Sequence, residues 1–267
     1  MTSQEEALLH GNILDRFRLD GRVALVTGAG QGIGRGFALA LAQAGAAVSV
    51  IDLELDRAAS VVAEITEAGG RAHAIVANVT VDEDIERFVG ETIEVFGQLD
   101  VAVNNAGINR NAAAEDTTLE DWDLHQNVNL RAVFRSCQVE ARAMFPRGYG
   151  KIINTASMAS LIVPHPQKQV AYNVAKTGVV SLTKTLAAEW ADRGIRVNCM
   201  SPGIIRTALI EQSEALRPLV SEWLSGIPAG RLGEVSDLQG GIVYLAAGVS
   251  DYMTGHNLII EGGQTLW

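Results

Sequence analysis

The stretch Val23-Ala24-Leu25-Val26-Thr27-Gly28-Ala29-Gly30-Gln31-Gly32-Ile33-Gly34 runs from an apolar, β-branched segment straight into a glycine-rich turn. The first four residues are continuously apolar rather than alternating, which suits a strand covered on both faces. The Ala-rich segment after the turn, 33–44, reads as a helix. Glycines at the junction let the backbone turn sharply and let a pyrophosphate approach, because no Cβ stands in the way. The helix N-terminus beyond them offers unpaired N–H groups and the positive end of a dipole. A glycine-rich turn alone is often only a tight turn; between a strand and a helix it follows the logic of a dinucleotide fingerprint. The spacing Gly28-x3-Gly32-x-Gly34 departs from GxGxxG and indicates a subclass of that fold. Gly28, Gln31, Gly32, Ile33 and Gly34 are the candidate phosphate residues.

The same alternation continues outward. Apolar runs recur at 47–51, 72–76, 101–103, 152–155, 196–200 and 257–260, and the segments 56–69, 82–96, 120–144, 172–193 and 236–247 read as helices. Strand and helix in strict turn predict an α/β fold: a single-domain, Rossmann-type, doubly wound parallel sheet of about seven strands with helices on both faces. We divide the chain into an N-terminal extension, 1–18, and one dinucleotide-binding and catalytic domain, 19–267. Residues 203–232 break the rhythm with a long connection containing Pro218, Pro228 and Gly230. Such a connection in a compact domain is often a lid, so it is the expected substrate loop.

Composition narrows the function. The chain has 267 residues and a formal net charge of -10, which argues against nucleic acid and against an anionic membrane surface. No apolar stretch has the length of a membrane span. The start, MTSQEEALLHGNILDRF, lacks the basic and apolar regions of a secretion signal. Cys137 and Cys199 form no disulfide framework or metal pattern, and read as reduced core thiols. A cytoplasmic protein without a catalytic metal is expected.

Asp52 closes the second strand, eighteen residues beyond Gly34. A carboxylate there accepts from the adenosine ribose hydroxyls and repels a 2′-phosphate. Position 31 is Gln, and Asp52 is followed by Leu53, Glu54, Leu55 and Asp56. The nearest cations, Arg35 and Arg57, read as solvated helix residues, so NAD is the expected cofactor.

Tyr172 and Lys176 are four apart at the start of a helical stretch and share a face. A free phenol has a pKa of about 10, too high for a base at neutral pH. An adjacent ammonium, with an oxidised nicotinamide, favours the phenolate. Tyr172 would then take an alcohol proton while hydride leaves for the cofactor. Ser157, at the end of the preceding strand, would hydrogen-bond the substrate oxygen. YxxxK alone is common on ordinary helices; the cradle and the strand-end serine turn the reading towards chemistry.

Six motifs stand in order: TGAGQGIG at 27–34, NNAG at 104–107, Asn129 in VNL, Ser157, YNVAK at 172–176 and SPGIIRT at 201–207. From about Leu19 onward the chain resembles the short-chain dehydrogenase/reductase family. The resemblance implies a catalytic tetrad of Asn129, Ser157, Tyr172 and Lys176, with Asn129 helping to hold a water near the lysine and Lys176 also bonding the nicotinamide ribose. It implies that Asn105, Ala106 and Gly107 flank the cofactor. Pro202 and Gly203 start the next cofactor loop, with Ile205 and Thr207 holding the carboxamide. The first asparagines have a plainer reading as an Asx-supported turn, and Pro202-Gly203 as a loop start. Where many members carry Asp-Val against adenine, this chain has Asn78-Val79; Asn can accept and also donate.

Within the family, SMASLIVPHPQ, LAAEWADRGIRVN and YMTGHNLIIEGGQTLW resemble the branch acting on polyols and keto-sugars such as galactitol, arabinitol and mannitol. Asn109, Ser157, His165, Gln169 and Tyr172 are the substrate candidates; an exposed polar loop is the plainer account of His165. Trp223 either packs on a sugar face or anchors the loop. The alternatives are a 3-oxoacyl-thioester reductase, disfavoured by the acidic charge, and a non-catalytic NAD sensor, which needs no base. Val133, Phe134, Val139, Met144, Val179, Val180 and Leu186 make helices 120–144 and 172–193 apolar beyond one face. A homotetramer is expected from them and from the resemblance.

Overall fold

The structure is a computed structural model that describes residues 12–207, 210 and 216–266. Seven parallel strands, β1 Val23–Thr27, β2 Ala47–Asp52, β3 Arg71–Val76, β4 Val101–Asn104, β5 Gly150–Thr155, β6 Ile195–Pro202 and β7 Asn257–Ile260, pair in the order β3-β2-β1-β4-β5-β6-β7. The apolar runs are continuous because successive side chains enter two different cores. Ala24 and Val26 pack with Phe37, Leu41, Val61 and Ile242 on one face. Leu25, between them, packs with Ile85, Phe88, Val133 and Val179 on the other.

The helices are α1 Gly32–Gln43, α2 Leu55–Glu67, α3 Asp82–Phe96, α4 Leu119–Gln126, α5 Ala132–Met144, α6 Val170–Trp190, α7 Val220–Ser225 and α8 Val235–Ala246. The first core takes buried side chains from α1, α2 and α8, and the second from α3, α5 and α6. Local signals explain several ends. Thr118 caps α4 by accepting from Asp121 N at 3.0 Å, α3 stops at Gly97 with φ 85°, and Glu234 with Asp237 forms a capping box on α8.

Two expectations need correction, and the long connection gains an element. The helix read as 120–144 is interrupted by a π turn, Asn127–Arg131, between α4 and α5. The connection 203–232 contains α7, whose Trp223 packs with Ile227 and Leu232; residues 208, 209 and 211–215 of this loop lie outside the described residues. Of the residues offered as a second apolar face, Val133, Met144, Val179 and Leu186 are buried in the chain's own core, and Val139 and Val180 pack against it. Phe134 is the one that stands exposed. These helices are sandwiched between the sheet and each other, so extra apolar residues find partners within the subunit. Among the described residues, no helix is long and apolar enough to cross a membrane.

Candidate active site

The chain reverses its winding direction between β1 and β4, and the crevice at such a switch point is where α/β sheets bind ligands. Here the two strand ends are stitched together. Thr27, the last residue of β1, accepts on Oγ1 from Asn105 N at 3.0 Å and Ala106 N at 3.1 Å. In return Asn105 Nδ2 donates to Thr27 O at 3.1 Å and Gly28 O at 3.3 Å. Gly28 has φ 62°, and a Cβ there would sit 2.9 Å from Ala106 Cα. A Cβ on Gly34 would collide with the Gly28 carbonyl. Gly32, with φ 56°, faces Thr207, whose Cγ2 would lie 3.7 Å from an added Cβ. Gln31 precedes α1 without a side-chain cap bond. Gly28 and Gly34 let the turn close tightly against Ala106 and on itself, Gly32 stays open, and with an uncapped helix start the turn fits a dinucleotide pyrophosphate.

Asp52 stands at the end of β2 beside this floor, 8% exposed. Its Oδ2 accepts from Gly30 N at 2.8 Å and its Oδ1 from Glu54 N at 3.3 Å. Arg35 pairs with Glu64, and Arg57 with Glu54 at 3.1 Å, so each guanidinium near Asp52 has an acidic partner. Asn78 spends its oxygen locally, accepting from Thr80 N at 3.0 Å and Thr80 Oγ1 at 2.8 Å. These bonds make an Asx turn, and the Asn78 amide N–H remains the group that could meet adenine. Val79 packs against the second core. On the far side, Pro202 ends β6, Gly203 N donates to Ile260 O at 2.9 Å, and Ile205 bridges Gly233.

Tyr172 and Lys176 lie one turn apart on α6. Lys176 is buried, and its Nζ donates to Thr155 O at 2.7 Å. The same nitrogen stands 5.6 Å from the centre of the Tyr172 ring. Burial brings the lysine down to about 8. Burial pushes the Tyr172 phenol above its ordinary value, and a hydrogen bond with Ser157 works in the opposite direction. Ser157 Oγ also accepts from Ala159 N at 3.1 Å, which holds the hydroxyl at the end of β5.

Asn129 sits in the π turn, fully buried. Its side chain clamps Ile108, accepting from Ile108 N and donating to Ile108 O, both at 3.0 Å. A Cβ on Gly107 would stand 2.7 Å from Asn129 Oδ1 and 3.5 Å from Lys176 Nζ. Gly107 is thus where the 105–107 turn, Asn129 and Lys176 meet. π turns often mark functional sites, because the widened turn re-aims side chains.

Two residues that sequence reasoning passed over support this corner. His125 accepts Arg110 N on Nε2 at 3.0 Å while Nδ1 faces Asp121 O at 2.6 Å, so Nδ1 carries the proton. Asn173 Oδ1 accepts from Gln169 Nε2 at 2.8 Å. Gln169 Oε1 in turn accepts from Asn109 Nδ2 at 2.9 Å. Two of the substrate candidates therefore touch, in a chain of amides at the start of α6. His165 does not join them. The His165 side chain is 80% exposed, and its Nδ1 lies 3.0 Å from Glu222 Oε1. Trp223 is 4% exposed and its Nε1 donates to Gln167 Oε1 at 2.8 Å, so it anchors the loop rather than offering a free ring face.

Comparison with known proteins agrees with this arrangement. Residues 28–265 match a family model described as enoyl-(acyl carrier protein) reductase. The D-threitol dehydrogenase of Mycolicibacterium smegmatis is 36% identical over 256 residues, 94% of this chain and 95% of that protein. The cyclohexanol dehydrogenase of Acinetobacter is 40% identical over 249 residues, 93% of this chain and 96% of the relative. The crystal structure of a short-chain type dehydrogenase/reductase from Mycobacterium marinum superposes with a TM-score of 0.92 at 42% identity, covering 95% of this chain and 99% of the other. Motifs, strand order and near full-length similarity agree, and the protein belongs to the short-chain dehydrogenase/reductase family, oxidoreductases that act on a CH–OH group with a nicotinamide cofactor.

Proposed function

We propose that this protein is an NAD-dependent dehydrogenase of sugar alcohols and keto-sugars, working as a homotetramer in the cytoplasm. The observation that carries the catalytic part is the meeting of Ser157, Tyr172, Lys176 and Asn129 at the Gly107 end of the glycine cradle.

Bound along the cradle, the oxidised cofactor would supply the hydride acceptor and a positive charge near the phenol. Gly32 would leave room for its pyrophosphate, Gly28 and Gly34 would keep the turn tight beneath it, and Asp52 would accept from the adenosine ribose. Tyr172 Oη takes the proton of the substrate hydroxyl as the carbinol C–H bond breaks, and the substrate becomes a ketone. Ser157 Oγ holds the substrate oxygen as its charge changes. Lys176, tied to Thr155 O, keeps a positive charge close to the phenolate. In the reductive direction Tyr172 returns the proton.

The NAD preference rests on Asp52, whose carboxylate repels a 2′-phosphate, and on arginines already paired with glutamates. The polyol preference rests on the amide chain Asn109–Gln169–Asn173, since such groups reward a substrate carrying further hydroxyls. Similarity to a D-threitol dehydrogenase supports it. Residues 203–232 form the substrate loop, latched through Trp223 to Gln167. Cys137 and Cys199, buried and unbridged, fit a reducing compartment.

The test is the appearance of reduced nicotinamide with D-threitol, galactitol, mannitol and cyclohexanol, each with NAD and with NADP. Turnover of polyols with NAD supports the reading. Turnover of cyclohexanol alone would make it a simple secondary-alcohol dehydrogenase. Tight NAD binding without turnover of any alcohol would make it a sensor.

A further inference from the structure

Beneath the 105–107 turn lies a buried polar group that the proposed reaction does not use. Asn104, the last residue of β4, donates Nδ2 to Glu140 Oε2 on α5 at 3.0 Å and to Asn154 Oδ1 on β5 at 3.1 Å. Asn154 Nδ2 donates to Thr183 Oγ1 on α6 at 3.0 Å, and Cys137 Sγ lies 3.4 Å from Asn154 Oδ1. Glu140 has no exposed surface at all. An isolated carboxylate in such a place carries a large desolvation cost.

Two atoms of this group lack partners: Glu140 Oε1 and Asn104 Oδ1. Both belong to the same hydrogen-bonded pair, and both are acceptors as long as Glu140 is ionised. Among the described residues no cation acts on Glu140. Around it are the amides of Asn104 and Asn154, the Thr183 hydroxyl and the Cys137 thiol, which burial keeps protonated. From α3 the buried residues are Ile85, Phe88, Val89 and Thr92. The α3 acids Asp82 and Glu86 pair with Arg131 and Arg135. On α6, Lys176 is committed to Thr155 O and Lys184 neighbours Cys199.

We propose that Glu140 is a neutral carboxylic acid whose Oε1–H donates to Asn104 Oδ1, closing a two-bond acid–amide ring that positions the 105–107 turn against the cofactor cradle. One hydrogen gives both orphan atoms a partner and removes the buried charge. Burial alone drives this carboxyl up to about 8, against the pull of the Asn104 bond. Glu140 touches neither cofactor nor substrate; it is a positioning residue acting through Asn104, whose next neighbours are bonded to Thr27 and Gly28. The proposal rests on the cofactor reading of that turn.

The test compares wild type with Glu140→Gln and Glu140→Leu. Glutamine can close the same ring, its amide N–H donating to Asn104 Oδ1. At neutral pH, infrared difference spectra should show a buried protonated-carboxyl band in wild type that Glu140→Gln lacks. By fluorescence titration at about pH 6.5, Glu140→Gln should bind NAD within about twofold of wild type, and Glu140→Leu about fivefold more weakly. The folded pKa lies above the unfolded one, so the ring is intact at low pH and is lost as pH rises through about 8. Towards about pH 9, wild type should therefore lose affinity relative to Glu140→Gln. Absence of the band difference, or identical pH profiles for wild type and Glu140→Gln, would overturn the proposal. If Glu140→Leu does not fold, the band and the Glu140→Gln profile still decide. If no protein in the set binds NAD or NADP, the cofactor reading and the positioning role fall together, while the band alone still reports the protonation state.

Discussion

Asp52 accepts the backbone N–H of Gly30 at 2.8 Å, and a Cβ on Gly30 would stand 2.7 Å from the same carboxylate oxygen. The acid at the end of β2 is thus built into the turn that forms the cradle, and Gly30 is small because Asp52 leans over it. A carboxylate fixed there meets a 2′-phosphate with like charge, while a ribose hydroxyl can donate to it.

Asp52→Ala should therefore lower the ratio of kcat/KM with NAD to that with NADP by at least about tenfold, which is about 1.4 kcal/mol of discrimination. Steady-state rates with both cofactors on one substrate check it. An unchanged ratio would mean that the Asp52 charge does not select the cofactor.

Tyr172→Phe removes the phenol oxygen and leaves the ring on α6. Loss of the proton acceptor should cut kcat by about a thousandfold, within the range for general acid–base groups. Cofactor affinity should hold, because Tyr172 acts in the chemical step. Titration of cofactor fluorescence beside single-turnover rates separates the two. A variant keeping most of its rate would remove Tyr172 from the mechanism.

Lys176 has the opposite pH signature to Glu140. Its folded value of about 8 lies below the ordinary 10.5, so the folded protein holds fewer protons than the unfolded chain between those limits. Stability from this group must rise as pH climbs through that window. Urea midpoints of wild type and Lys176→Met, measured from about pH 7.5 to about pH 10, should move in favour of wild type with rising pH. A constant difference would show that the buried lysine does not titrate there.

Much of this architecture was legible because its causes are local. Continuous apolar runs such as Val23–Val26 announce strands buried on two faces, and all seven were found within a few residues of their ends. The glycine cradle, Asp52 and the Tyr172–Lys176 pair declare themselves by residue type at fixed spacing. What stayed hidden depends on partners far along the chain. The π turn at Asn127–Arg131 leaves no mark on a helical pattern, although it seats Asn129. Val133, Met144, Val179 and Leu186 read as a second outer face until their neighbours on the sheet and α3 are known. Thr155 holds Lys176 through its carbonyl, which any residue possesses. Glu140 has the sequence signature of a solvated helix charge, and only its burial beside Asn104 gives it another role.

Phe134 is 41% exposed on α5, and it lines a shallow, largely apolar depression with Leu130 and Leu182 from the neighbouring turn and helix. Val174 is also exposed on α6, but the Phe134 patch is where the proposed second subunit would dock. Phe134→Asp puts a charge at its centre, and charges are depleted at interface cores. Sedimentation should show wild type as a tetramer and the variant as smaller species at micromolar concentration. A wild-type mass of one chain would end the oligomer proposal, and an unchanged variant would move the interface elsewhere.

Gln169 is where the proposed polyol site would differ from a simple alcohol site. It is 6% exposed, accepts from Asn109 and donates to Asn173, so both ends of its amide are held. An amide oxygen has two lone pairs, and Gln169 Oε1 accepts from Asn109 on one, so a substrate hydroxyl would add a bond on the other that a substrate without it cannot make. Gln169→Ala breaks both links and should raise KM for galactitol or D-threitol by about tenfold, the scale of one lost buried hydrogen bond. Cyclohexanol, with a single hydroxyl that Tyr172 and Ser157 engage, should keep its KM, and kcat should change little for either class. Equal losses on polyol and cyclohexanol would mean that Gln169 supports the fold of the loop and does not read the substrate. In that case His165, paired with Glu222 at the rim, would be no better placed, and the specificity would have to come from the 203–232 loop.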